Sequence, residues 1–263
     1  MCGIFGVLSG RGAGYASKLL KDIIDYLFIL SESRGKEAAG IAVLNNDIVN
    51  VYKEPVPASL LIRTKGYRHF LNTTINDAII DKSDPSIKKP IAMLGHTRLA
   101  TNGVQTDNDN NSPITSGRVT GVHNGIVVND DALWVRFPLM KRKSLVDSEV
   151  LFSLLNFFTS EGLSLTESAR SIFKNMQGSA SVAAFISRYD DILLATNTGS
   201  LYSCINARSD LYIFASEIYI LEKLIKKLKL PSAIGQFDIS QLKPGSGCLV
   251  NIHTLTRGNF VLY

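Results

Sequence analysis

The feature that most constrains the fold is the mixture of short strand-like runs with two separate pairs of helix-like segments. Short apolar runs bounded by polar or glycine-containing turns are typical of β-strands, whereas apolar residues three and four apart are typical of helices. The two patterns do not alternate regularly, as they do in doubly wound α/β folds. The sequence therefore predicts an α+β fold. Because no flexible linker and no internal repeat divides the chain, we expect one domain over residues 1–263.

The same patterns predict individual elements. The expected strands are 4–8, 40–44, 48–52, 91–94, 182–187, 192–195, 201–205, 211–215 and a closing pair that ends at 248–252. The expected helices are 17–30, 147–158, 166–176 and 217–228. Turn chemistry at 45–47 indicates a hairpin, and Ser164 with Glu167 forms a capping-box pattern. We expect the strands after Ser181 to form a meander.

Composition and charge exclude several classes of protein. The chain has 263 residues, 45% of them hydrophobic, which is enough for a substantial core, and no apolar run is long enough to cross a bilayer. The N-terminus carries no secretory signal pattern, which predicts a cytoplasmic protein. The net charge of +5 includes two separate basic runs, 141–143 and 226–229, without interleaved aromatic residues. We therefore expect neither nucleic acid nor a membrane as a partner.

The polar stretch 101–118 is expected to be a loop that imitates a calcium site. Asp107 and Asp109 alternate as calcium ligands do. However, Ser112 stands where the tight turn needs Gly, and Arg118 stands where a bidentate Glu is needed. We predict no metal site here.

The glycine-rich stretch 10–14 imitates a dinucleotide-binding turn. It follows an expected strand and precedes an expected helix. The glycine spacing is wrong for the full motif, and a hairpin follows where a parallel strand is required. The sequence predicts no cofactor.

Cys2 is the most informative single residue. Its position predicts that removal of Met1 leaves the thiol beside its own free α-amine. An α-amine with a pKa of about 7.7–8.0 suits a general base for a thiol of about 8.5. One residue could then supply both nucleophile and base. The alternative is a small buried residue at the start of a strand.

The other two cysteines, Cys204 and Cys248, fall in expected strands. Three cysteines at irregular spacing form neither a disulfide framework nor a zinc motif. We predict that Cys204 and Cys248 are inert core thiols.

Four further segments distinguish between the alternatives for Cys2. They follow the N-terminal Met-Cys-Gly-Ile-Phe-Gly in the order 34–40, 95–103, 123–125 and 147–149. Each is weak alone. As an ordered set they closely resemble the class II glutamine amidotransferase domain of the N-terminal nucleophile hydrolases.

The resemblance extends over nearly the whole chain. Residues 1–6 and 34–42 are similar to glutamine phosphoribosylpyrophosphate amidotransferase, and 95–103 is similar to glucosamine-6-phosphate synthase. Short matches at 215–217 and 242–245 extend it towards the C-terminus. It implies a four-layer αββα sandwich of two antiparallel sheets between helix layers.

The resemblance implies that Cys2 hydrolyses the side-chain amide of glutamine through a thioester and releases ammonia. Asn124 and Gly125 would donate hydrogen bonds to the tetrahedral oxyanion. Gly125 would also contact the substrate. On its own, Asn-Gly is more typical of a hairpin turn.

The same resemblance implies how the amino-acid end of glutamine is bound. Arg98 would hold the carboxylate bidentately, with Thr101 as a hydroxyl donor and Asn102 as a second contact. Asp147 would bind the ammonium. The alternatives are a surface arginine at Arg98 and a helix N-cap at Asp147.

The chain departs from the resembling enzymes at two positions. Leu99 replaces an aromatic residue, so the resemblance does not imply how ammonia is gated, and Asn102 replaces the histidine of glucosamine-6-phosphate synthase. His96 and His123 lie inside the motifs, but the implied mechanism needs no imidazole. We expect both histidines to be structural.

The sequence does not identify the acceptor of the ammonia. The modules that usually bind it have no room in this chain, so we expect a synthase subunit or a missing synthase domain as the partner. Two alternatives remain: an N-terminal cysteine amidohydrolase acting on another amide, and a non-catalytic regulatory subunit that senses glutamine.

Overall fold

The computed structural model describes residues 2–45, 47–81, 83–99 and 103–263. Its strands are, in chain order, β1 (Gly3–Ser9), β2 (Ala38–Asn45), β3 (Ile48–Glu54), β4 (Ile79–Asp81), β5 (Asp84–Ile87), β6 (Ile91–Arg98), β7 (Ile114–Ser116), β8 (Val119–Val127), β9 (Gly178–Ile186), β10 (Asp191–Thr196), β11 (Tyr202–Asn206), β12 (Leu211–Ala215), β13 (Phe237–Gln241), β14 (Ser246–Asn251) and β15 (Arg257–Val261). Its α-helices are α1 (Ser17–Ser31), α2 (Ala58–Leu61), α3 (Lys65–Asn76), α4 (Asp130–Arg136), α5 (Ser148–Ser160), α6 (Leu165–Asn175), α7 (Ile218–Lys227) and α8 (Leu230–Ile234). Single 3₁₀ turns lie at Glu32–Arg34 and Asn108–Asn110.

Two antiparallel sheets form the framework. The seven-stranded sheet has the order β13-β11-β12-β1-β6-β2-β3, and the six-stranded sheet has the order β15-β14-β10-β9-β8-β7. One apolar cluster lies between the sheets, including Ile4, Leu94 and Phe185. Helices α1, α3 and α7 pack on the outer face of the first sheet, and α5 and α6 on the outer face of the second. This confirms both the α+β class that the patterns predicted and the four-layer αββα sandwich that the resemblance implied.

Burial on both faces explains the continuous apolar pattern of the central strands. In β1, Ile4 and Leu8 face the core between the sheets, whereas Phe5 and Val7 face the helices. A strand covered on both sides has no solvent-facing positions to make polar. This agrees with the position of β1 in the middle of the seven-stranded sheet, between β6 and β12.

Most of the predicted elements are confirmed. The expected hairpin is formed by β2 and β3, which pair antiparallel from Ala39↔Glu54 to Asn45↔Ile48. The capping box is present, since Ser164 and Glu167 each accept a hydrogen bond from the other's backbone. Helices α1, α5 and α7 match the expected helices within a few residues.

The predicted loop at 101–118 was partly wrong. Its described part contains a 3₁₀ turn and β7, and it leads into β8, which was not predicted. β8 has the sequence Val-Thr-Gly-Val-His-Asn-Gly-Ile-Val, whose polar residues hide the strand pattern. Helices α3 and α4 also lacked a prediction.

The predicted meander and closing pair were wrong in their pairing. β9 and β10 belong to the six-stranded sheet, whereas β11 and β12 pair in the seven-stranded sheet. β13 and β14 likewise lie in different sheets, and β14 pairs with β15. Alternating patterns indicate strands but do not show which sheet a strand joins. Among the described residues, no helix is long and apolar enough to cross a membrane.

Candidate active site

A cleft at the start of β1 brings together residues from both sheets. Four of the residues predicted from the sequence line it, namely Cys2, Arg98, Gly125 and Asp147. Its other lining residues include His96, Leu99, Asn110 and His123. Thr101 and Asn102, which were also predicted to bind substrate, lie outside the described residues.

The sheet topology explains why residues so distant in sequence meet. Cys2 immediately precedes β1, whose first residue Gly3 pairs with Thr97 near the end of β6. Arg98 is the last residue of β6. Asn124 and Gly125 come from β8 in the opposite sheet. The ends of strands from two packed sheets therefore form one site.

The Cys2 thiol is half-buried against the backbone of Leu99. The Leu99 N–H lies 3.4 Å from Sγ, and Sγ lies 3.5 Å from the Leu99 carbonyl oxygen. Burial raises the pKa of the thiol, while the Leu99 N–H and the charge of Arg98 act to lower that pKa. Because the raised pKa favours the neutral thiol near neutral pH, attack by this sulfur requires a base.

Arg34 connects Cys2 to Asn124, a role that the sequence did not reveal. Its Nε donates to the Cys2 carbonyl oxygen at 2.8 Å. In the orientation that satisfies both ends of the Asn124 amide, its nitrogen donates to the same carbonyl at 3.0 Å, and its oxygen accepts from Arg34 Nη2 at 3.3 Å. Arg34 also forms an ion pair with Glu217. The only signal in the sequence was the position of Arg34 at the start of segment 34–40.

Gly125 occupies a position that only glycine fits. Its φ is 149°, and a Cβ atom there would lie 2.0 Å from the carbonyl oxygen of Ser179 on the neighbouring β9. Asn124 and Gly125 pair with Ser181 and Ala180 in a continuous ladder. The hairpin-turn alternative for Asn-Gly is therefore wrong, and the two residues lie inside a strand.

Arg98 is a buried residue, which contradicts the surface-arginine alternative. Only 4% of Arg98 is exposed, and its Nη1 and Nη2 donate to Asn111 Oδ1 and the Gly103 carbonyl, both at 2.8 Å. The segment after Asn111 is held by Lys53, whose Nζ donates to the carbonyl oxygens of Asn111 at 2.7 Å and Pro113 at 3.2 Å. These contacts fix the orientation of the guanidinium in the cleft.

Asp147 stands at the N-cap position of α5 but does not cap the helix. Its side chain makes no cap hydrogen bond, and Oδ2 instead accepts from the Val127 N–H at 2.7 Å. With 6% of the residue exposed, the carboxylate is held at the wall of the cleft by the end of β8.

Comparison with known proteins agrees with this geometry. A family model described as a glutamine amidotransferase domain matches residues 96–223. The glutamine–fructose-6-phosphate aminotransferase (isomerizing) of Staphylococcus aureus is 31% identical over 206 residues, covering 76% of this chain and 30% of the relative. The chain contains a class II glutamine amidotransferase domain.

Two solved structures share the fold of this amidotransferase domain. The glutamine phosphoribosylpyrophosphate amidotransferase of Bacillus subtilis, complexed with ADP and GMP, has a TM-score of 0.66 at 18% identity, covering 100% of this chain and 49% of that protein. A structure described as the allosteric regulatory enzyme of purine biosynthesis has a TM-score of 0.68 at 19% identity, with the same coverage. The chain spans 26–30% of the length of the curated relatives it matches.

The two histidines of the amidotransferase domain's cleft are buried and hydrogen-bonded. His96 Nε2 lies 3.3 Å from the His123 carbonyl oxygen, and His123 Nδ1 lies 2.9 Å from Ser148 Oγ. Burial lowers the pKa of His96 to about 3 and also lowers the pKa of His123. His96 is therefore neutral near neutral pH.

Cys2 differs from the other cysteines of the amidotransferase domain. Cys204 and Cys248 are free thiols buried in β11 and β14. Burial raises their pKa values to about 12 and about 11. Cys2 alone among the three lines the cleft.

The two stretches that imitate ligand sites are used by the fold of the amidotransferase domain. The N–H groups of Gly10, Gly12 and Gly14 donate to carbonyl oxygens of other segments, so they are not arranged to bind phosphate. The carboxylate of Asp107 accepts from the Asp109 N–H and the Asn110 amide. Within the described ranges, no group of three or more His, Cys, Asp or Glu residues could hold a metal ion.

Proposed function

We propose that this protein hydrolyses the side-chain amide of glutamine to glutamate and ammonia, with Cys2 as the nucleophile. The observation that carries the proposal is the convergence of the Cys2 thiol with Arg98, Gly125 and Asp147 in one cleft. We further propose that residues 1–263 act as a single domain, because β1 and β13, which are far apart in the sequence, lie in the same sheet.

The reaction begins with the mature Cys2, whose α-amine is free once Met1 has been removed. The α-amine takes the thiol proton as Sγ attacks the amide carbon of glutamine. The C–N bond then breaks, the proton passes to the leaving nitrogen as ammonia forms, and a thioester remains. Water attacks the thioester, which releases glutamate and restores the thiol.

The oxyanion of each tetrahedral intermediate would lie between Asn124 and Gly125. The Asn124 amide nitrogen carries two hydrogens, one of which is directed at the Cys2 carbonyl oxygen, so the second can serve the oxyanion. The Gly125 N–H would be the other donor. Removing one such donor typically costs about 2.7–4 kcal/mol of transition-state stabilisation.

The amino-acid end of glutamine would be bound by opposite charges on two walls of the cleft. The Arg98 guanidinium would receive the carboxylate, and the Asp147 carboxylate would receive the ammonium. Thr101 and Asn102 would add contacts to the carboxylate. A simple acyl amide lacks both charges, which favours glutamine over the other substrates of an amidohydrolase.

The ammonia would be used at a second active site, in a synthase subunit or domain of the same assembly. The names of the relatives describe enzymes that transfer nitrogen from glutamine to fructose 6-phosphate or act on phosphoribosylpyrophosphate. Such an assembly would work in the cytoplasm, where the thiol stays reduced.

The proposal is tested by mass spectrometry combined with ammonia release. We expect the intact mass to show loss of one Met, and a diazoketone analogue of glutamine to add once, at Cys2. Cys2→Ala should reduce ammonia release to background while the thermal unfolding temperature is kept, and Cys248→Ala should serve as the matched control with activity retained.

Three outcomes contradict the proposal in different ways. Labelling at Cys204 or Cys248 in place of Cys2 would remove the nucleophile assignment. Release of amine from acyl amides but not from glutamine would indicate a different amidohydrolase. Binding of glutamine without any turnover would indicate a sensing subunit.

A further inference from the structure

A second cavity lies where the outer strands of the two sheets separate, and we call it the edge cavity. It has a volume of about 340 Å³, within the usual range of small-molecule sites. It is remote from Cys2, because its residue Tyr212 pairs with Leu8 at the far end of β1. Leu8 is six residues from Cys2 along β1, which corresponds to about 20 Å of strand.

The floor of the edge cavity is part of the apolar core between the sheets. It is formed by Leu194, Leu201, Tyr212 and Cys248, which are almost completely buried. These residues come from β10, β12, β14 and the segment before β11. The floor offers apolar surface to a ligand and is held by both sheets.

The walls of the edge cavity are polar, although they belong to the inner faces of the sheets. On β11 and β13, Ser203 stands opposite Ser240, with the two hydroxyls 3.4 Å apart. On β15, Asn259 stands opposite the floor residue Cys248. Residues on the inner faces of packed sheets are normally apolar, since they fill the core. Ser240 and Asn259 are exposed at the mouth of the edge cavity and Ser203 is half-buried, so a ligand that enters from solvent would meet these polar groups.

The charge of the edge cavity is positive. Two cationic residues line it: Arg257 on β15, which stands opposite Val250 of β14, and Lys243. No carboxylate is among its described lining residues. Neither cation takes part in an ion pair within the described residues. The nearest acid on the inner face of β13 is Asp238, which lies outside the lining.

We propose that the edge cavity binds a small amphipathic anion, with a carboxylate or phosphate group on an apolar body. The apolar body would lie on Leu194, Tyr212 and Cys248, and the anionic group would bind Arg257 and Lys243. The serine and asparagine side chains of the walls would accept or donate the remaining hydrogen bonds. The proposal is independent of glutamine hydrolysis, because it shares no residue with the cleft at Cys2.

The test uses the full chain and three probes of similar size: phenylacetate, phenyl phosphate and the neutral benzyl alcohol. Titration followed by NMR should show one site for the anions, with benzyl alcohol bound at least about tenfold more weakly. Whichever of the two anions binds more tightly identifies the anionic group. Arg257→Gln should weaken anion binding about tenfold, and Lys243→Gln should weaken it further in the double variant.

Arg63→Gln is the matched control, because Arg63 is exposed and does not line the edge cavity. It should leave the affinity unchanged. Equal affinity for benzyl alcohol and the anions would overturn the proposal. An equal loss of anion affinity in Arg63→Gln and Arg257→Gln would also overturn the proposal, because it would indicate general attraction of anions to a positively charged protein. The absence of binding by either anion would overturn it as well.

Discussion

At the scale of single residues, Arg34 connects the backbone of Cys2 to the side chains of Asn124 and Glu217. It holds the Cys2 carbonyl and the Asn124 amide and is itself held by Glu217. It is not among the residues that line the cleft around the thiol. We therefore expect Arg34 to control the geometry of the reacting groups and to contribute little to glutamine binding.

We predict that Arg34→Met lowers kcat for glutamine about 10²-fold, since displacements of about 1 Å in reacting groups have effects of this size. KM should change little. Steady-state kinetics with glutamine checks the prediction, with the exposed neighbour Lys36→Met as control. An increase in KM at unchanged kcat would instead assign Arg34 to substrate binding.

The buried histidines predict how stability depends on pH. The folded-state pKa of His96 is about 3, below the ordinary value of 6.5. Between these values the unfolded chain binds a proton that the folded protein excludes. Stability is therefore fully present above about pH 6.5 and is lost as the pH falls towards 3, by up to about 1.4 kcal/mol per pH unit. The lowered pKa of His123 acts in the same direction.

Urea unfolding at pH 7.5, 6 and 5 measures this dependence. We predict that His96→Gln reduces the slope of the unfolding free energy against pH. Part of the slope should remain, because His123 is still present in this variant. The exposed His69→Gln should leave the slope as it is in the parent chain. An unchanged slope in His96→Gln would show that His96 does not exclude the proton.

Much of the candidate site could be predicted from single residues, because its motifs are short and local. Cys2, Arg98, Gly125 and Asp147 all belong to such motifs, and they line one cleft. The role of Arg34 could not be predicted, since its contacts to Cys2 and Glu217 join residues 32 and 183 positions apart. Such contacts are set by the packing of the sheets.

At the level of elements, Gly35 allows the turn at 32–34 to approach the end of β6. A Cβ atom on Gly35 would lie 2.2 Å from the carbonyl carbon of Arg98 and 2.4 Å from the nitrogen of Leu99. Its backbone is extended, so the requirement for glycine comes from this close approach and not from its dihedral angles. One of these two residues, Leu99, lies against the Cys2 thiol.

We predict that Gly35→Ala lowers the free energy of unfolding by about 1–3 kcal/mol through overpacking. It should also lower glutamine turnover, because Arg98 and Leu99 must shift. Gly258→Ala is the matched control, since a Cβ atom there meets no atom within 4 Å. Chemical denaturation and ammonia release measure both effects. Equal behaviour of the two variants would contradict the proposed close approach.

The elements that the sequence predicted correctly are those with a strong local signal. Helices α1 and α5 have clear apolar faces, and the β2–β3 hairpin has a polar turn. β8 could not be predicted because its buried polar residues, among them His123 of the cleft lining, break the apolar pattern. The assignment of β11–β14 to sheets depends on long-range pairing, which leaves no local mark in the sequence.

At the level of the whole molecule, the site depends on a strand that lies outside the region matched by the family model. The model matches residues 96–223, whereas Cys2 precedes β1. β1 lies between β6 and β12 in the seven-stranded sheet. The N-terminal strand therefore brings Cys2 to Arg98, Gly125 and Asp147, which the matched region contributes to the cleft.

The last prediction concerns the use of the ammonia and rests on the proposed function. The chain spans 26–30% of the length of its curated relatives, and we propose that the ammonia is consumed at a synthase site outside residues 1–263. Leu99, beside the thiol, is 38% exposed, so water can reach the edge of the cleft. Because such sites work best when a partner excludes water, we predict that the chain alone hydrolyses glutamine slowly and releases glutamate and free ammonia in equal amounts. Adding the synthase subunit or domain with its acceptor should raise the rate of glutamate formation and lower the ratio of free ammonia to glutamate. Parallel assays of the two products measure both effects. A full rate of turnover by the chain alone, with equal amounts of the two products under every condition, would identify a stand-alone amidase.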